Sequence, residues 1–263
     1  MKVLLMNNRP ANPGHWSALL TKGILAANDR PAAGAAYQAG FDAYVSWGVK
    51  KGNIRQEMAR GHRCLIAERA YLGDRFHWFS LGWNGLNGNA DFVNDDVSGD
   101  RWERFWQADM KPWRNGGDYA LIVGQVAGDA AMDGRCPYEW AESVIPEAKQ
   151  RFGRVYFRPH PLCKRKRRVA GCEELPGDMQ TALAGASAVI TYSSNTGVLA
   201  VMEGIPTVTY STCSMVYNVT SHNLRETVTP DRTQWGHRIA YAQWLPEELA
   251  NGTAWRHVTR RMR

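Results

Sequence analysis

The sequence predicts an α/β protein built as two halves, and three observations carry that prediction. Residues 188–210, AVITYSSNTGVLAVMEGIPTVTY, pass from an apolar β-branched run through a small polar turn and a short helical segment into a second β-rich run. That is a strand–helix–strand unit, whose crossover makes the two strands parallel. Residues 2–67 alternate strand-like and helix-like segments in the same way. The chain has 263 residues, 44% of them apolar, enough for the cores of two small α/β halves or of one larger domain.

The elements follow in order. Lys2–Met6 is an apolar run and reads as a strand. Residues 7–15 hold two prolines and a glycine and form a loop at its carboxyl end, where open α/β sheets bind ligands. Residues 16–27 have helical spacing. The alanine-rich stretch 32–40 predicts a small-residue helix closed by Gly40. Residues 42–47 predict a strand, 53–60 a helix ended by Gly61, and 64–67 a third strand.

Residues 68–88 hold four glycines, two asparagines and two tryptophans, and predict an irregular segment. A loop of this length inside a compact domain is usually functional. It carries Glu68, Asp74 and His77, each a candidate base and each equally suited to ion pairing or capping. Residues 101–110 are amphipathic, with Trp102, Phe105 and Trp106 as anchors, and 111–118 read as the linker.

The second half opens on Tyr119–Val123, a strand whose loop, 124–129, again lies at a carboxyl end. Pro137–Phe152 predicts a helix, Val155–Arg158 a strand and 178–185 a short helix; the strand–helix–strand unit follows. Residues 211–226 are polar. Residues 234–244 have helical spacing, with Trp235, Tyr241 and Trp244 on an apolar stripe; Pro246 interrupts, and a last short helix ends near Val258.

Two motifs carry chemistry. Tyr192, Ser193, Ser194, Asn195, Thr196 and Gly197 form a hydroxyl-rich turn between a strand and a helix. Free N–H groups and the helix dipole favour an anion there, and the same hydroxyls equally suit a helix cap. Arg158-Pro159-His160-Pro161 is a rigid turn at a strand end that holds out a guanidinium and an imidazole, groups that bind phosphate or supply a proton.

The pair RPHP and YSSNTGVLAVMEGIPTV resembles the nucleotide-sugar half of GT-B glycosyltransferases, most closely the capsule-polysaccharide and sialyltransferase-like groups. The run Leu121 to Asp129 resembles the loop that opens that half in the capsule group. The resemblance implies two Rossmann-like halves facing a central cleft, with a C-terminal helix crossing back. It implies an N-terminal acceptor half over 1–115, a nucleotide-sugar half over 116–225, and C-terminal helices over 226–263 that pack on the first half. It also implies that Gly124, Gln125, Asp129, Arg158, His160, residues 192–197 and Glu203 serve the donor, with Glu203 resembling the donor-ribose acid. Residues 67–92 resemble uncharacterised proteins of tailed phages and prophages.

Glycosyl transfer needs a stabilised phosphate leaving group, a base for the acceptor hydroxyl and reactants held together. Asp74 is the first expectation for the base, with Glu68 second and His77 also considered. There is no Asp-x-Asp spacing of the metal-dependent type, so neither metal nor other cofactor is expected beyond the nucleotide-sugar co-substrate.

The net charge of +7 suits an anionic donor or a polyanion. The run Lys164, Arg165, Lys166, Arg167 and Arg168 is either a solvated loop or a phosphate-tracking patch. With the phage likeness, it makes double-stranded DNA carrying hydroxylated pyrimidines one expected acceptor and a surface glycan the other; a non-catalytic nucleotide- or DNA-binding relic is the alternative of another class. Eleven tryptophans, among them Trp47, Trp78, Trp83 and Trp113, serve either stacking or packing. The five cysteines lack paired spacing and read as ordinary thiols. No run approaches the ~20 apolar residues of a membrane span, and the short first strand is no signal peptide, so a cytoplasmic protein is expected.

Overall fold

The computed structural model describes residues 1–6, 12–50, 53–163 and 167–262. The expected loop 7–15 is therefore described only from Asn12, and Lys164, Arg165 and Lys166 of the basic run lie outside the described residues. In chain order the elements are β1 (Lys2–Met6), α1 (Trp16–Ala26), β2 (Arg30–Gly34), β3 (Ala43–Trp47), α2 (Ile54–Ala59), β4 (Cys64–Arg69), β5 (Phe79–Trp83) and α3 (Asp100–Phe105). There follow β6 (Tyr119–Val123), α4 (Pro137–Phe152), β7 (Val155–Arg158), β8 (Glu173–Glu174), α5 (Met179–Ala184), β9 (Ala186–Thr191), α6 (Thr196–Met202) and β10 (Thr207–Thr209). The chain closes with α7 (Thr233–Ala240), β11 (Gln243–Trp244), α8 (Pro246–Ala250) and α9 (Thr253–Val258).

The chain divides into two compact units. One comprises Met1–Trp102 with Gly236–Arg263, and the other Glu103–Trp235. The sheet of the first has the order β11-β5-β4-β3-β1-β2; β1 to β4 run parallel, and β5 and β11 close one edge antiparallel. The chain starts at β1, steps to β2 on one side and then to β3 on the other. Strand order therefore reverses between β1 and β3.

Both faces of this sheet are buried, with Leu4, Met6, Cys64 and Ile66 on one and the larger cluster on the other. Val3, Leu5, Val45, Leu65, Ala67, Leu81 and Trp83 come from alternate strand positions, and Trp16, Leu20 and Ile24 from one stripe of α1. The C-terminal segment completes it: Trp244, Leu249, Trp255 and Val258 are at most 1% exposed. Gly23 makes this return possible, because a Cβ there would lie 1.9 Å from the Leu249 carbonyl oxygen. A partly buried ion pair ties the same segment down, with Arg101 Nη2 donating to Glu248 Oε2 at 3.0 Å.

The sheet of the second unit has the order β10-β9-β6-β7-β8, parallel throughout. Counted within the unit this is the 3-2-1-4-5 order of a Rossmann fold, reversing between β6 and β9. Its strands carry Leu121, Ile122, Val189 and Ile190 at 0% exposure, as strands covered on both faces require. The face opposite the α5–α6 side is covered by α4, which buries Tyr138, Trp140, Ala141, Val144, Ile145 and Ala148.

Three sequence expectations are corrected. The stretch 32–40 is no helix. Arg30–Gly34 pairs along the whole of β1, and edge-strand pairing overrides alanine's helical preference. Residues 68–88 are only partly irregular, since β5 pairs with β4 over five positions. Gly82 sits mid-strand where a Cβ would come within 2.7 Å of Ala90, so the glycine marks a close approach rather than a loop. Finally, the helix expected over 234–244 ends at Ala240, and Gln243–Trp244 pairs with β5 instead.

Candidate functional site

The strand order of the second unit says where to look. Strand order reverses between β6 and β9, and at such a reversal the following loops part in opposite directions, so that open α/β sheets bind ligands in a crevice at the carboxyl ends of the two strands. The loop after β6 reaches it with Gln125, and the loop after β9 with Ser193. Both residues are buried, and they are hydrogen-bonded to each other. Ser193 N donates to Gln125 Oε1 at 2.9 Å, and Gln125 Nε2 donates to Ser193 Oγ at 3.1 Å. Ser193 Oγ also donates to the Ala131 carbonyl at 2.6 Å.

The hydroxyl-rich turn meets its own backbone needs. Ser194 N donates to Thr191 Oγ1 at 3.0 Å, and Thr196 N donates to Ser194 Oγ at 3.2 Å. Asn195 holds the N-cap position of α6, where its carbonyl accepts from Val198 N at 3.0 Å, and Gly197 N donates to the Ser194 carbonyl at 2.9 Å. These contacts build the turn at the crevice mouth.

The other expected donor residues are placed as follows. Gly124 N donates to the Arg158 carbonyl at 2.9 Å, locking the ends of β6 and β7. Asp129 Oδ1 accepts from Ala131 N at 3.0 Å and starts a single 3₁₀ turn. The Arg158 guanidinium is engaged by two carbonyls beyond β8, those of Leu175 at 3.2 Å and Gly177 at 2.6 Å. His160 Nδ1 accepts from Leu162 N at 3.1 Å and shapes the His-Pro turn. Glu203 is not brought to the crevice. It caps the far end of α6, about 10 Å along the helix from the turn, and pairs with Lys111 Nζ at 2.5 Å. Arg167 forms a two-pronged bridge to Glu142, both bonds 2.9 Å, which holds the Glu142 carboxyl below its ordinary range; Arg168 is exposed.

The crevice also holds a group that sequence reasoning did not single out as a set. Tyr192 Oη donates to Asp133 Oδ2 at 3.1 Å and accepts from Arg135 Nε at 3.1 Å. Ser211 Oγ donates to the same Asp133 oxygen at 3.4 Å. Trp140 packs its edge on the Tyr192 ring, with centroids 5.9 Å apart at 76°. The one available signal was the polar turn Asp133-Gly134-Arg135 lying between a strand and a Pro-initiated helix, the usual position for a ligand loop.

In the first unit the candidate bases separate. Glu68 lies near the end of β4, half-buried, opposite Ser80 in the antiparallel ladder. Its carboxylate fills the space beside Gly48, immediately after β3: a Cβ on that glycine would lie 2.9 Å from Glu68 Oε1. Tyr71 stands close by, with its hydroxyl accepting from Ser80 Oγ at 3.1 Å and donating to Asn87 Oδ1 at 3.3 Å. Asp74 is exposed at the tip of the β4–β5 connection, where its carboxylate accepts from Phe76 N at 2.9 Å and its carbonyl from His77 N at 2.9 Å. His77 is exposed in the same turn.

Of the tryptophans singled out above, two are buried and two, Trp47 and Trp113, are half-buried. Trp78 and Trp83 are buried, Trp47 tilts against Trp16 at 5.6 Å, and Trp113 lies under Arg232 at 4.0 Å. Among the described residues no three His, Cys, Asp or Glu side chains gather as metal ligands would.

Comparison with known proteins gives a fold. No protein-family model and no curated protein matches the sequence. Among solved structures, the KpsC β-Kdo 2,7-transferase of Thermosulfurimonas dismutans is similar over 92% of this chain and 90% of its own, with 15% identity and a TM-score of 0.62. The KpsC β-Kdo 2,4-transferase of the same organism covers the same shares at 14% identity and a TM-score of 0.57. The fold is thus GT-B-like: two Rossmann-like α/β units, with the C-terminal segment returning to the first. No helix among the described residues is long and apolar enough to cross a membrane.

Proposed function

We propose that this chain is a glycosyltransferase that takes a sugar from a nucleotide-sugar donor and places it on a hydroxyl of a carbohydrate acceptor. The observation that carries this reading is the crevice at the β6/β9 reversal, where Gln125 and Ser193 join two ligand-type loops in a GT-B-like fold. Nucleotides bind at such reversals because successive loops present N–H groups and side chains to one point. The solved structures of similar fold are described as β-Kdo transferases, which favours a carbohydrate hydroxyl as acceptor.

In the step itself the acceptor oxygen forms a bond to the anomeric carbon, the bond from that carbon to the phosphate oxygen breaks, and a base takes the hydroxyl proton. The crevice proposed for the donor phosphate belongs to the second unit, and the carboxylates expected as the base belong to the first. Glu68 is the better candidate, since it stands on a strand beside the β1/β3 reversal while Asp74 and His77 sit in an exposed turn. Hydroxylated pyrimidines in phage DNA, the other acceptor expected from the sequence, have weaker support, because Arg167 is committed to Glu142.

Thermal-shift titration with cytidine and uridine mono- and diphosphates and their sugars tests the donor site. The expected result is a concentration-dependent rise in melting temperature with one base class, followed by slow release of free nucleotide from its sugar. A rise with duplex DNA and none with any nucleotide would overturn the reading.

A further inference from the structure

We propose that Arg135 is the guanidinium that takes the donor phosphate, and that Tyr192 and Asp133 hold it in position. This rests on the donor crevice proposed above and deepens it. A phosphate bound at the β6/β9 reversal needs free N–H groups or a cation. The obvious sources are already engaged. Ser193, Ser194 and Thr196 donate their N–H groups to Gln125, Thr191 and Ser194 side chains, and Arg158 is drawn to the Leu175 and Gly177 carbonyls at the β8 side of the sheet.

Arg135 is differently situated. It lies on the loop after β6, on the crevice side of the unit, and its side chain is exposed. Its Nε donates to Tyr192 Oη at 3.1 Å, and its two terminal nitrogens have no hydrogen bond or ion pair among the described residues. The fork is therefore open at the end that grips phosphate with two bonds.

The support behind it has a direction. The Tyr192 hydroxyl gives its one proton to Asp133, which leaves a lone pair facing Arg135 Nε. Ser211 donates to the same Asp133 oxygen, so that carboxylate is held by two hydroxyls. The Tyr192 ring is fixed by Trp140 and is 7% exposed, and Tyr192 directly precedes Ser193, the residue bonded to Gln125. The arm is thus pinned at its base and free at its tip.

The experiment compares the binding of a nucleotide with that of its nucleoside, using cytidine monophosphate against cytidine and uridine diphosphate against uridine, by calorimetry on the full chain. Wild type should favour the nucleotide by about 10- to 100-fold, the range of one charge-assisted contact. Arg135→Met should bring that ratio close to one while nucleoside affinity is kept. Tyr192→Phe should lower the ratio in part, which a merely structural tyrosine would not do selectively. Arg158→Met should lower thermal stability and keep the ratio. An unchanged ratio in Arg135→Met, or its loss in Arg158→Met alone, overturns the assignment while the donor site stands. Equal binding of nucleotide and nucleoside by wild type overturns both.

Discussion

Gln125 and Ser193 stand 68 residues apart in sequence and are joined by a reciprocal pair of hydrogen bonds, N to Oε1 at 2.9 Å and Nε2 to Oγ at 3.1 Å. One carboxamide thereby fixes the spacing of the two loops at the β6/β9 reversal. Gln125 is 5% exposed and Ser193 is 6% exposed, so water cannot replace a lost partner. Gln125→Leu should therefore destabilise the protein by about 1–3 kcal/mol, the cost of a buried N–H left without an acceptor. Urea unfolding followed by tryptophan fluorescence measures it. A change near zero would mean that the loops hold their spacing without the carboxamide.

The first unit depends on a different tie. Arg101 donates through Nε to the Ala240 carbonyl at 3.1 Å and through Nη2 to the Gln243 carbonyl at 2.9 Å, pairs with Glu248, and lies 4.4 Å over the Trp244 ring. It holds the returning C-terminal segment by four separate contacts. Arg101→Met leaves Glu248 partly buried without its cation; breaking a fully buried pair from one side costs about 3–5 kcal/mol, and the partial exposure of Glu248 puts the expected loss at or below the low end of that range. The double variant Arg101→Met, Glu248→Gln should recover part of that loss, because it removes both charges. Equal stability of the single and double variants would show that the contribution is packing on Trp244.

Much of this architecture was legible in the chain, for a physical reason. Runs such as KVLLM and AVIT are apolar and β-branched because parallel strands are covered on both faces, so their pattern is nearly context-free. What the sequence hid were elements decided by distant partners. Arg30–Gly34 is a strand because β1 offers it a full ladder, and Gln243–Trp244 is one because β5 does. The site was legible to the level of its loops and less so to its atoms. Ser193, Ser194 and Arg158 were picked for their donors, and those donors prove to be engaged by the Ala131 carbonyl, the Thr196 hydroxyl and the Gly177 carbonyl. Arg135 went unnoticed because only the fold brings it to Tyr192, 57 residues later.

His257 gives the fold an acid limit. Its ring stacks on Tyr241 at 4.9 Å and abuts Trp244 at 4.9 Å, and Arg260 lies against it. Burial, reinforced by the Arg260 charge, lowers its pKa from 6.5 to about 4. The folded state thus favours the neutral ring. Above pH 6.5 both states are neutral and the group has no effect on stability. As pH falls from 6.5 towards 4 the unfolded chain takes up the proton first, and stability is lost across that window. Allowing for the part of the ring that solvent reaches, the loss is about 1–2 kcal/mol. Stability curves at pH 7.5 and 4.5 should show it in wild type and not in His257→Gln. Parallel pH profiles for the two proteins would assign the effect elsewhere.

The base of the proposed transfer separates two carboxylates that looked alike in the sequence. Asp74 is exposed and holds the Phe76 N–H in a two-residue turn, whereas Glu68 is fixed on the ladder between β4 and β5 and fills the space beside Gly48. A group on a strand keeps its geometry through a catalytic cycle better than one at a loop tip. Glu68→Gln is nearly isosteric and should lower kcat by about 100-fold or more, with the nucleotide-induced rise in Tm preserved. Asp74→Asn keeps an acceptor for the Phe76 N–H and should lower kcat by less than about tenfold, since it removes no proton acceptor that the reaction uses. Steady-state rates on one donor distinguish the two. The reverse order of effects would return the role to the loop, and full activity in both variants would mean that neither carboxylate takes the acceptor proton.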